Sequence, residues 1–131
     1  MGASGGLGGA LARHYAAPGA RLLLWGRDAA RLRAIAASCV AAGAHAEIRS
    51  QDLADLPAAS AALAQDDAEE PIGLAVFAAG LGDIRAPGDR VEDAALVARL
   101  AAVNFTAPAV LAAALAVRMT ARGSGRIVLV G

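Results

Sequence analysis

Apolar and polar positions along the chain alternate between two periods. Leu7, Leu11 and Tyr15 recur every four residues, which predicts a helix ending near Pro18-Gly19. RLLLW (residues 21–25) is a short apolar run stopped by Gly26 and reads as a buried parallel strand. Asp28 is placed to cap a helix running through Leu32, Ile35 and Ala36 to about Ala42, where Gly43 stops it. AEIRS (residues 46–50) is a weaker strand. Asp55, just ahead of Leu56-Pro57, caps a helix through Leu63. IGLAVFAAG (residues 72–80) reads as another buried strand, entering a loop with Gly80, Gly82, Pro87 and Gly88. A helical stretch runs from about Val91 to about Arg122, with Leu111, Leu115 and Met119 on one face. Gly123-Ser124-Gly125 breaks it, and RIVLV (residues 126–130) is the last strand. This alternation predicts an α/β fold, a doubly wound parallel sheet whose strand carboxyl ends line the edge where ligands bind.

Composition narrows the picture. A chain of 131 residues makes one domain with a core. It is 57% hydrophobic, but 38 residues are alanine, so large side chains are scarcer than that figure implies. Twelve basic residues balance twelve acidic ones, which removes the electrostatic case for nucleic acid or an anionic membrane as partner. The longest apolar run, residues 107–117, has 11 residues, against the about 20 a spanning helix needs. Cys39 is the one cysteine; it reads as a small buried hydrophobe and suits a reducing compartment. The chain reads as soluble and cytoplasmic. His14 and His45 have no clustered partner, so no metal site is expected. The acidic residues Asp66, Asp67, Glu69 and Glu70 read as a solvated helix end.

The chemistry begins at the first turn. GASGGLG (residues 2–8) carries glycines at 2, 6 and 8 ahead of a helix. Missing side chains let backbone approach a pyrophosphate, and the N–H groups of the helix start point at it. Gly2, Ser4, Gly6, Leu7 and Gly8 are therefore candidate cofactor ligands, Ser4 through its hydroxyl. A P-loop is excluded, because that loop requires a lysine and the chain has none; all twelve basic residues are arginine.

The spacing G-x-x-x-G-x-G resembles the short-chain dehydrogenase/reductase family. Further positions carry the resemblance in the family's order. Asp52-Leu53 matches the acidic residue that contacts adenine, and Ala78-Ala79-Gly80 stands where the family has Asn-Ala-Gly beside the cofactor. Asn104, in VNFTAP, matches the asparagine of the catalytic tetrad, and GSGRIVLVG matches the strand that delivers the catalytic serine. The resemblance implies a Rossmann-type dinucleotide-binding domain over residues 1–131 and an oxidoreductase that interconverts a small-molecule carbonyl and alcohol by hydride transfer. It also implies a parent that is a homodimer or homotetramer.

Arg27 follows Gly26 at the end of the second predicted element, where an NAD site presents a carboxylate to the ribose. An arginine there pairs with the 2′-phosphate of NADP, so NADP(H) is favoured. If Asp28 reads the ribose instead, NAD is the cofactor. Of the family's serine, tyrosine, lysine and asparagine, this chain offers Asn104. Its single tyrosine, Tyr15, lies in the first helix, where it is expected to pack, and is followed by no lysine. The family's first strand, which precedes the glycine loop, is not matched, and the matched region stops just before the serine. The expectation is a fragment, an incomplete doubly wound sheet that is inactive by itself. The alternatives are a non-catalytic dinucleotide-binding or interaction module, completed by a strand from another chain, or part of an epimerase or dehydratase relative.

Overall fold

Two pairs of parallel strands flank the first residues of the chain in a computed structural model that describes residues 1–82 and 93–131. The elements are α1 (Gly6–Tyr15), β1 (Arg21–Gly26), α2 (Ala29–Ala41), β2 (His45–Ser50), α3 (Leu56–Glu69), β3 (Leu74–Phe77), α4 (Ala94–Ala101), a π-helical segment (Ala102–Thr106), α5 (Ala107–Ala121) and β4 (Arg126–Leu129). β1 pairs with β2 from Arg21↔His45 to Gly26↔Ser50. β3 pairs with β4 from Leu74↔Arg126 to Phe77↔Leu129. The predicted order of elements is the observed one. The expected strand over residues 72–80 is ordered as strand only at Leu74–Phe77, and the expected helix start at Val91, with Pro87 and Gly88 of the preceding loop, lies outside the described residues.

Local chemistry sets the ends. The Asp28 carboxylate accepts from the N–H groups of Ala30 and Arg31, both at 3.0 Å, and starts α2. Asp55 accepts from Ala58 N–H at 3.2 Å and starts α3, with Pro57 in the first turn. Pro108 explains the π-helical segment. It cannot donate to the Asn104 carbonyl and its ring crowds that turn, so the helix widens one turn earlier, with Ala107 N–H reaching Ala102 O.

Two apolar cores form. Leu24, Leu32, Cys39 and Ala12 join α1 and α2 to the β1–β2 pair, and burial pushes the Cys39 thiol up from its ordinary pKa. Trp25, Leu63, Phe77, Leu111, Leu115 and Met119 join α3 and α5 to both strand pairs. The helical stretch Ala94–Ala121 is 28 residues long and apolar enough to cross a membrane by length and composition. Its Leu111, Leu115 and Met119 side chains are buried in the second core, so here it acts as a packing helix. The stripe Leu7, Leu11, Tyr15 behaves differently from expectation. Leu7 and Tyr15 are half exposed, and α1 turns Gly8, Gly9 and Ala12 inward instead, because its closest neighbours are backbone and Ile35.

The acidic run also departs from expectation. α3 continues to Glu69, so Asp66 and Asp67 follow Leu63 onto the buried face, whereas Glu69 and Glu70 remain in solvent. Asp66 accepts from Trp25 Nε1 at 3.0 Å and is paired with the Arg49 guanidinium. Asp67 accepts from Arg122 Nη1 with both oxygens, at 3.0 and 2.9 Å, and from Ile72 N–H at 2.9 Å. One helix thereby staples both strand pairs: Asp66 holds β1 and β2, and Asp67 holds the entry to β3 and the exit of α5.

Burial pushes the Asp67 carboxyl up, but the Arg122 and Ile72 bonds and the charges of Arg122 and Arg118 outweigh it and hold the group below its usual 3.8. Its stabilising contribution is complete above the ordinary carboxylate pKa and is lost as pH falls through the depressed value. Asp67→Asn is expected to cost roughly 3 kcal/mol in urea unfolding at pH 7, by leaving Arg122 without its partner. It should also remove part of the acid-side slope. A loss within about 0.5 kcal/mol, the level of a neutral surface change, would contradict the staple.

Candidate functional site

The carboxyl ends of β1, β2 and β3 surround a cavity of about 540 Å³, within the range typical of small-ligand sites. The glycine turn forms its floor. Gly2 and Ala3 N–H donate to the Trp25 carbonyl at 2.9 and 2.8 Å, Gly5 N–H donates to Gly2 O at 3.0 Å, and Ala78 N–H donates to Met1 O at 3.0 Å. The turn is therefore fixed to β1 on one side and to the residue after β3 on the other. Two of its glycines are dictated by space. Gly2 has φ +85°, and a Cβ there would lie 2.6 Å from Ala79 backbone. A Cβ on Gly8 would collide with the Gly2 carbonyl oxygen.

Gly6 is different, since a Cβ there meets nothing. Its neighbour Gly5 is the N-cap of α1 and offers no side chain to cap it. The first-turn N–H groups of Gly6, Leu7 and Gly8 thus lack intrahelical acceptors and carry the positive end of the helix dipole. That arrangement favours an anion.

The predicted site residues come together only in part. Gly2, Ser4, Arg27, Asp52, Leu53, Ala79 and Gly80 all line the cavity. Gly6 and Leu7 are exposed at the start of α1, Gly8 is buried behind the turn, and none of the three is a wall of the cavity. Asn104 does not line it either. Its side chain is held by Leu81, accepting from Leu81 N–H at 2.7 Å and donating to Leu81 O at 2.8 Å. Asn104 thus braces the turn that follows β3.

Three features were missed in the sequence. Arg31 and Gln51 also line the cavity. Arg31 sits three residues after Asp28 and pairs with it at 3.3 Å, a spacing that could have pointed to it. Arg99 of α4 donates to Asp52 at 2.8 Å, a contact between distant segments that no local signal carries. Ala54 N–H donates to the other Asp52 oxygen at 3.0 Å. That bond, then Arg99 and the charge of Arg27, hold the Asp52 carboxyl below its usual value against partial burial.

A glycine-rich turn feeding a helix at the carboxyl edge of a parallel α/β sheet, with an arginine at the end of the next strand, defines the class of dinucleotide-binding domains. The family follows from comparison with known proteins. The family model for short chain dehydrogenase matches residues 1–131, and the chain belongs to that family. It is 36% identical to galactitol 2-dehydrogenase (L-tagatose-forming) of Cereibacter sphaeroides over 131 residues, covering 99% of this chain and 50% of that protein. A metagenomic short-chain oxidoreductase in complex with NADP superposes with TM-score 0.88 at 36% identity, over 98% of this chain and 58% of that one. A short-chain dehydrogenase from Sphingobium yanoikuyae in complex with NADPH gives TM-score 0.85 at 36% identity, over 99% of this chain and 51% of that one. The chain thus spans about half the length of these relatives.

The two kinds of glycine in the turn separate in a stability measurement. Gly8→Ala is expected to lose about 2 kcal/mol or more by overpacking backbone, and Gly6→Ala to remain within about 0.5 kcal/mol of the parent. Equal urea midpoints for the two variants would contradict this geometry.

Proposed function

We propose that this chain is the dinucleotide-binding part of an oxidoreductase that interconverts a carbonyl and an alcohol, and that it takes NADP(H). The observation that supports this best is the first turn of α1. The N–H groups of Gly6, Leu7 and Gly8 have no intrahelical acceptors, Gly6 and Leu7 are exposed, and the cavity walled by two arginines adjoins this turn at Gly5. These donors would hold the diphosphate. Arg27, with Arg31 beside it, would pair with the 2′-phosphate. Asp28 is the rival reader of a ribose, but its carboxylate is engaged by two N–H groups of α2 and by Arg31. That commitment favours NADP over NAD. Asp52 and Leu53 would flank the adenine. Bound in this way, the nicotinamide supplies the hydride.

Asn104 has a positioning role in this reading: it fixes the Leu81 peptide, and with it the turn that borders the reacting end of the site. The proton chemistry of the family needs a phenol whose pKa, about 10 in water, is lowered by a nearby cation. The one tyrosine here is at the far end of α1, about 14 Å along the axis from the first turn. No lysine occurs in the 131 residues. The 131-residue chain is therefore expected to bind the dinucleotide without turning over a ketone. The buried, unpaired Cys39 fits a cytoplasmic location, and the exposed apolar side chains of Val97, Phe105 and Val117 on the long helix fit a homodimeric or homotetrameric parent.

Titration of NADPH and NADH, followed by nicotinamide fluorescence, tests the reading. Arg27→Ala is expected to weaken NADPH about tenfold, one charge-assisted contact, and to change NADH less than about twofold. Gly6→Ala should weaken both by about tenfold or more while the fold is retained, because its methyl group occupies the diphosphate's place. Equal losses for the two dinucleotides in Arg27→Ala would overturn the cofactor assignment. Ketone-dependent oxidation of NADPH by the pure 131-residue chain would overturn its inactivity.

A further inference from the structure

Asp52 stands where β2 gives way to the turn before α3, and it lines the cavity. Its carboxylate is held at both oxygens. Oδ1 accepts from Ala54 N–H at 3.0 Å, a bond within the turn. Oδ2 accepts from Arg99 Nη2 at 2.8 Å, a bond to α4 from 47 residues away. The first bond alone leaves the carboxylate able to swing about it; the second fixes its plane. An ionised carboxylate offers about four acceptor sites, so each oxygen keeps one for a ligand.

The pair does little for the fold. Its two side chains are 44% and 38% exposed, and ion pairs so open to water add little stability. What it does is join α4 to the cavity rim. Val103, one turn after Arg99, is buried and is a wall of the same cavity. Asn104 follows and is bonded to Leu81 N–H and O at 2.7 and 2.8 Å. One helical segment thus holds the rim beyond β2 through Arg99 and beyond β3 through Asn104. The Ala54 bond, then Arg99 and the charge of Arg27, keep Asp52 ionised. Asp52 is therefore an acceptor whose charge and direction are both set.

We propose that Arg99 is a positioning residue for the purine end of the dinucleotide. It aims the Asp52 carboxylate at an exocyclic 6-amino group, and so makes the site select adenine over a 6-oxopurine. This rests on the dinucleotide reading above. An ionised carboxylate has no proton to donate. It accepts from a 6-amino group and repels the carbonyl oxygen of hypoxanthine. That selectivity needs the carboxylate aimed as well as charged, because a hydrogen bond weakens steeply with angle. Arg99 itself is not a wall of the cavity, so it acts through Asp52.

The test is fluorescence titration of the 131-residue chain with NADPH and with its hypoxanthine analogue, deamino-NADPH. The two ligands differ only at the purine 6-position. Contacts to phosphate and ribose, and any general change in the fold, therefore cancel in the ratio of their Kd values. The unaltered chain is expected to prefer NADPH about tenfold. Arg99→Ala should lower that preference to about threefold or less, with an unchanged urea midpoint. Arg99→Lys, which keeps the charge, should restore part of it. Asp52→Asn, whose amide both accepts and donates, should lose the preference, and adding Arg99→Ala to it should change the ratio less than about twofold. An unchanged preference in Arg99→Ala, or equal weakening of both ligands, would overturn the proposal and leave Arg99 a tie between α4 and the turn. Equal binding of the two ligands by the unaltered chain would overturn the proposal while sparing the dinucleotide reading. Binding of neither would overturn both.

Discussion

Backbone touching backbone at the glycine turn is the constraint from which the rest of the structure follows. Gly2 lies against Ala79 and Gly8 lies against Gly2, at separations that no side chain tolerates. That closeness ties the turn to the end of β1 through Trp25 O and to the end of β3 through Ala78 N–H. The same closeness aims the first turn of α1 across the carboxyl edge of the strands. A helix start placed there leaves first-turn N–H groups without intrahelical partners beside the cavity, an arrangement that favours an anion.

The two strand pairs share no ladder among the described residues, and what holds them together is therefore informative. The glycine turn is one link. The other is α3, which buries two adjacent carboxylates and gives each to a different half of the molecule. Buried ion pairs add little net stability over apolar packing, but losing one partner is costly. They therefore act here more as registration devices than as glue. In a chain so rich in alanine, where helix surfaces are smooth and core side chains are small, such devices give α3 one seat instead of several near-equal ones.

The element order could be read from the sequence because each boundary is local: Asp28 and Asp55 cap helices from positions two or three residues away, and Gly43 and Gly123 end them. The cavity residues could be read because the glycine turn, Arg27 and Asp52 each follow a strand by a short, regular interval. What escaped depends on partners distant in the chain. Asp66 looks solvated until Trp25 and Arg49 arrive from 41 and 17 residues away, and Asp67 until Arg122 arrives from 55. Leu7 and Tyr15 mark a stripe of the right period on the wrong face, because glycine and alanine are what fit against the neighbouring backbone. Pro108 was a local clue to the widened turn around Asn104 that the apolar run concealed.

The anion-binding turn is tested most directly by the amide resonances of Gly6, Leu7 and Gly8 during titration with NADPH, followed in a ¹H–¹⁵N spectrum of the 131-residue chain. The expected result is that these three amides, with that of Arg27, move first and furthest, and that inorganic pyrophosphate moves the first three alone. Saturable NADPH binding that leaves Gly6, Leu7 and Gly8 in place would contradict it.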